Sequence, residues 1–152
     1  MTRRTAREIA LCLLFDFTFH PQEDPKEVLE LYLKSFPGPD TGVKPEDIRS
    51  DPFITSAYLG VMQNLSRIDG MIEGASQNWK PERISRVSRS ILRLAVYELL
   101  YVDDIPYKVS INEAVELAKV YDFDNGYTFV NGILGNVVKQ LSQGAEDAPQ
   151  EN

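Results

Sequence analysis

The strongest constraint on the fold is a period. Apolar residues recur at steps of three and four along nearly the whole chain, and no run of strict alternation is long enough to define a strand. Ala6, Ile9, Ala10, Leu13, Leu14 and Phe17 make a first stripe. Val28, Leu29, Tyr32, Leu33 and Phe36 make a second. Phe53, Ile54, Ala57, Tyr58, Val61, Leu65 and Ile68 make a third, which continues through Met71, Ile72 and Ala75 across Gly70 and Gly74. Val87, Ile91, Leu94, Ala95 and Leu99 follow, then Ala114, Val115, Leu117, Ala118 and Tyr121. The expected fold is all-α, in two packed helical bundles of about seven helices.

Local chemistry sets the expected boundaries. Thr2 caps the first helix, and His20-Pro21 ends it, because a residue before proline avoids helical backbone. Asp24 caps the second helix, with Pro25 where the first turn tolerates it, and Asp51-Pro52 begins a third. The run Pro37 to Gly42 reads as a loop. Trp79-Lys80-Pro81 reads as a hinge, which divides residues 1–142 into an N-terminal bundle of about 1–78 and a C-terminal bundle of about 79–142. Pro106 stops a helix and Asn112 caps or begins the next. Asp122 to Gly126 is a turn, and a last helix runs from about Tyr127 to Leu141, leaving a polar, disordered tail at 143–152.

At 152 residues with 43% hydrophobic content, the chain can build one sizeable core. A single cysteine, Cys12, forbids an internal disulfide and fits a reducing, cytoplasmic setting. No signal peptide and no membrane span is read from the sequence.

Catalytic chemistry is not legible. His20 and Cys12 are the only residues of their kinds and lie eight positions apart. Cys12 sits beside an apolar stripe and reads as a buried structural thiol. "DFDNG" begins like a calcium loop but lacks its later ligands, so Asp122 and Asp124 read as turn and helix-start residues. The glycines of "NGYTFVNG" lack the GK[ST] of a phosphate loop. Glu98, Glu113 and Glu116 read as salt-bridge partners for Arg89, Arg93 and Lys108. No cofactor, no metal and no enzymatic activity is expected.

Charge placement is more informative. The net charge of −7 argues against a protein that simply coats nucleic acid. Yet "MTRRTAR" carries Arg3, Arg4 and Arg7 with no acid, at a helix start whose partial positive charge favours phosphate. A second basic run, "WKPERISRVSRSILR", reads as a solvated helix face paired with acids elsewhere. Tyr121, Phe123, Tyr127 and Phe129 crowd one turn and cannot all face inward. Exposed rings beside a basic face suit unpaired RNA bases, with Asn125 placed to read base edges.

Three blocks carry a family resemblance: "RRTAREIALCLLF", "WKPERISRVSRSILRLAVYELLY" and "IPYKVSINEAVELAKVY" continuing to "FVNGIL". Over most of residues 3–138 the chain resembles the NusB family of bacterial transcription antitermination factors. The resemblance implies two helical bundles at right angles, boxA-type single-stranded RNA as ligand, the ribosomal protein NusE as partner, and work within an antitermination complex on RNA polymerase during ribosomal RNA synthesis. It implies an RNA face of Arg3, Arg4, Arg7, Tyr121, Asn125 and Phe129, and a NusE face including Phe15 and Ser88. Asn131 and Gly132 belong to its signature and read as helix packing. Relatives often carry Tyr at Phe15, an acid at Ser88 and a basic residue at Thr128. Some relatives form homodimers that mask the RNA face. The alternatives are a protein-only interaction module and a NusB-like accessory domain of a ribosomal RNA methyltransferase.

Overall fold

A computed structural model of the chain describes residues 1–36, 42–77, 84–123 and 125–147, the last four without their side chains. The described residues form helices and no strand. The helices are α1 (Arg3–Phe17), α2 (Pro25–Ser35), α3 (Pro45–Ser50), α4 (Pro52–Gln63), α5 (Leu65–Ala75), α6 (Arg86–Tyr101), α7 (Tyr107–Tyr121) and α8 (Gly126–Asp147).

The expected caps are present. Thr2 accepts a hydrogen bond from the Thr5 N–H at 3.1 Å, and Asp24 accepts from Lys26 at 3.2 Å, just ahead of Pro25. Asp51, where a helix was expected to begin, also caps it, accepting from Ile54 at 2.9 Å. Each supplies an acceptor to a helical N–H that has no partner within the helix.

Four boundaries differ from the sequence reading. The long third stripe is two helices, α4 and α5, broken at Asn64. The Asn64 side chain donates to the Gly60 carbonyl at 2.8 Å and accepts from the Tyr101 hydroxyl at 3.1 Å. A side-chain amide competing with the backbone in this way interrupts helical geometry. The short α3, anchored by the buried Ile48, was not visible as a stripe. α7 starts directly after Pro106, so Asn112 is an exposed residue within it and no cap. α8 continues past Leu141 to Asp147, so residues 143–147 are helical. The expected hinge at Trp79 to Pro81 lies outside the described residues.

α1 packs on α2, α4 and α6, and α3 closes over α4. α6 also packs on α5, α7 and α8, while α5 and α7 both pack on α8. α6 is therefore the shared wall of the two bundles. Its sequence shows why. Besides the expected Ile91, Leu94 and Ala95, the residues Leu92 and Val96 are fully buried, so α6 buries more than one face.

Candidate nucleic-acid interface

The three N-terminal arginines leave α1 for different surroundings. Arg3 stacks its guanidinium 4.3 Å from the ring centroid of Phe53 on α4, at the rim of a cleft that also includes Tyr97 and Asp104. Arg4 points toward α7, where its Nε and Nη2 meet the two oxygens of Glu113 at 3.1 and 3.0 Å. Its side chain stays 65% exposed. That hydrogen-bonded pairing holds the Glu113 carboxyl below its usual range. Arg7 goes inward: it is 4% exposed and bonds Glu98 at 2.7 and 3.1 Å, and the Ser110 hydroxyl donates to the same carboxylate at 3.2 Å. Arg7 is thus a structural cation joining α1, α6 and α7. A phosphate cannot reach it, and the expectation of an Arg7–RNA contact gives way to this placement.

The turn between α7 and α8 is built around Asp122. Its carboxylate accepts the Phe123 N–H at 2.9 Å and the Ser85 hydroxyl at 3.2 Å, and also the Ser88 hydroxyl. Ser85 is the N-cap of α6, so a carboxylate sits at that helix's positive end. Asn125 follows with φ 62°, a left-handed conformation that asparagine tolerates. Gly126 passes so close to Asp122 that an added Cβ would lie 2.3 Å from Oδ2. Asp124 lies outside the described residues.

This tight turn decides which rings face out. Phe123 is 82% exposed, and Tyr127 is exposed with the Lys119 ammonium 5.6 Å from its ring centroid. Tyr121 and Phe129 are half-buried and pack against the core. Burial is the main cause that raises the Tyr121 hydroxyl pKa. Asn125 and Thr128 are exposed. The outward rings are therefore Phe123 and Tyr127, while the two expected rings are half-buried. Lys119 was missed by sequence reasoning. Its signal was its place in the last turn of α7, beside the aromatic cluster.

Arg4 and the aromatic turn share one seam. Arg4 meets Glu113, and Tyr121 lies close enough to Glu8 and Cys12 for both to act on its hydroxyl. Arg4 thus reaches α7 at Glu113, about two helical turns before its Tyr121 end. From Arg4 to Cys12 is about 12 Å at the helical rise. Arg3, on the Phe53 side, is not on this seam.

Toward its C-terminus α1 presents Phe15, half-buried and edge-on to Phe19 at 5.4 Å, with Phe19 exposed. Ser88 is 3% exposed and committed to Asp122. A partner cannot touch the Ser88 side chain directly, so its expected contact with NusE becomes an internal link between α6 and the aromatic turn.

Glu98, Glu113 and Glu116 are salt-bridge acids as expected, but their partners are Arg7, Arg4 and Lys119. Arg93 instead pairs with Asp69. Burial pushes the Cys12 thiol up to about 11. His20 pairs with Glu23 at 2.5 Å just beyond α1. No helix among the described residues is long and apolar enough to cross a membrane.

Comparison with known proteins agrees with this architecture. The model of the NusB family matches residues 4–139. A transcription antitermination protein NusB of Bacillus pumilus is 43% identical over 143 residues, covering 94% of this chain and 99% of the relative. One from Clostridium botulinum is 41% identical, covering 91% of this chain and all of the relative. The solved T. maritima NusB superposes with a TM-score of 0.73 at 37% identity, over 92% of each chain. A crystal structure described as antitermination factors NusB and NusE in complex with dsRNA shares the fold, with a TM-score of 0.70 at 23% identity over 91% of this chain and 96% of that one. With the family model spanning most of its length and full-length relatives above 40% identity, the chain is a member of the NusB family.

Proposed function

We propose that the chain is an RNA-binding transcription antitermination factor that pairs with NusE and binds boxA-type single-stranded RNA during ribosomal RNA transcription in the cytoplasm. Relatives above 40% identity carry the name transcription antitermination protein, and a structure of the same fold is described as NusB and NusE in complex with dsRNA. The RNA face is the α1–α7 seam: Arg4, Lys119, Tyr121, Phe123, Asn125 and Tyr127, with Phe129 supporting the turn from below. Arg3 extends the basic edge toward α4. Phe15 marks the NusE side, and the loaded pair joins the RNA polymerase complex. The protein acts by binding and has no catalytic role.

The observation that carries this reading is the shared seam, where an exposed guanidinium and outward aromatic rings can meet one strand. Unpaired bases stack on such rings, and phosphates exchange with Glu113 for Arg4.

A second reading, a protein-only interaction module, draws on the acids of the same seam. Arg4 and Lys119 already face Glu113 and Glu116. Titrating boxA RNA and a scrambled control against the chain, with and without NusE at two salt concentrations, separates the two. Preference for boxA in the presence of NusE supports the first. Equal affinity for NusE with and without RNA, and binding of neither RNA, supports the second.

A further inference from the structure

The second basic run of the sequence resolves into a site. Arg86, Arg89 and Arg93 recur at steps of three and four, so their guanidiniums leave one face of α6. Two of them are engaged. Arg93 holds Asp69 through two bonds of 2.9 Å. Arg86 donates to the Thr18 carbonyl at 2.9 Å and lies 4.6 Å from the Phe19 ring centroid. The Arg89 side chain has neither an ion-pair nor a hydrogen-bond partner among the described residues, although the residue is half-buried.

All three line one cleft of about 360 Å³, between the C-terminal end of α1 and the starts of α5 and α6. Phe17, Pro21, Leu65 and Ile84 supply its apolar walls. Asp69 is the only acid paired with any of the three arginines among the described residues. In a chain with 23 acids and 16 bases, an unpartnered guanidinium in such a place is conspicuous. Partial burial costs it hydration that none of the described residues returns.

We propose that this cleft receives an acidic side chain, Glu or Asp, of the protein partner, with its carboxylate on Arg89 and its methylene stem against the apolar walls. A planar guanidinium pairs with a carboxylate through two parallel bonds. The walls distinguish the occupant: they fit an apolar stem ending in a charge, which a phosphodiester backbone lacks. The cleft is also continuous with the NusE side. Arg86 covers Phe19, and Phe19 packs on Phe15. The inference rests on the proposed NusE pairing and adds to it a specific anchor that the family resemblance did not assign.

The test compares the wild type with Arg89→Glu and Arg89→Met in calorimetric titrations with NusE, and separately with boxA RNA alone. Thermal melts of all three proteins check folding, which substitution of an unpartnered residue leaves intact. Expected is a tenfold or larger loss of NusE affinity for Arg89→Glu, a smaller loss for Arg89→Met, and unchanged affinity for RNA alone. One Asp or Glu to Lys change on NusE restores binding to Arg89→Glu. Equal NusE affinity for wild type and both variants overturns the inference while leaving the pairing intact. Loss of RNA affinity with NusE affinity unchanged makes the cleft a phosphate site and also overturns it. Failure of the wild type to bind NusE overturns the pairing and the inference together.

Discussion

Arg7 and Glu98 lie 91 positions apart in the chain, yet their side chains meet at 2.7 Å with almost no exposure to solvent. The contact ties α1 to α6, and Ser110 extends it to α7. Breaking one half strands the other charge in the core. Arg7→Ala or Glu98→Ala should each cost about 3–5 kcal/mol, read as a lowered urea midpoint. A double change to apolar residues of similar size, Arg7→Met with Glu98→Leu, should recover most of that loss. RNA affinity of the folded double variant should match the wild type, because Arg7 does not reach the surface.

The rings of the aromatic turn should separate by function. Phe123→Ala should leave thermal stability nearly unchanged and weaken boxA binding by about 1–3 kcal/mol, the worth of one stacked base. Phe129→Ala should do the reverse in the first instance, lowering stability by about 2 kcal/mol or more through lost packing. Parallel melts and RNA titrations of the two variants check both halves.

Asp122 holds that turn against the start of α6, so loosening it should be felt at both. Asp122→Ala removes the acceptor for Ser85, Ser88 and the Phe123 N–H, and should cost about 1–3 kcal/mol. Gly126→Ala should reproduce much of the effect, because its methyl would displace the same carboxylate. Hydrogen exchange should then quicken at Phe123 and at the first turn of α6, with α2 unaffected.

Cys12 should be a poor nucleophile while the protein is folded. Its thiol is raised to about 11 by burial, against about 8.5 for a free cysteine. Reaction with a thiol reagent at pH 8 should therefore be slow in the native protein and fast in urea. The raised value stabilises the fold fully below the unfolded pKa. That contribution is lost as pH climbs from about 8.5 to about 11, so the urea midpoint should fall across that window. Cys12→Ser should flatten the fall.

Much of the fold could be read from local signals. Thr2, Asp24 and Asp51 cap their helices through bonds spanning two or three residues, and a short stretch of sequence contains everything needed to see them. The break at Asn64 was hidden because one of its stabilising partners, Tyr101, is 37 residues away. α3 was hidden because six residues give less than two turns of period. The site shows the same division. The N-terminal arginines and the aromatic turn stood out as compositional clusters. Which members face outward depends on Glu98, Glu113 and Ser85, which long stretches of sequence separate from them. A helical period also says nothing about rings placed around a turn, so Phe123 and Phe129 could be distinguished only once Asp122 and Asn125 had fixed its path.

The central claim is that one RNA strand lies along the α1–α7 seam and touches both Arg4 and the aromatic turn. Photo-crosslinking tests it most directly, using 4-thiouridine-substituted boxA RNA on the NusE-bound protein, with crosslinked peptides identified by mass spectrometry. The account predicts crosslinks both in the segment 1–12 and in the segment 119–129, with the second lost in Phe123→Ala. Crosslinks confined to α2 or to the Phe53 side of α4, with none near residue 123, would contradict it.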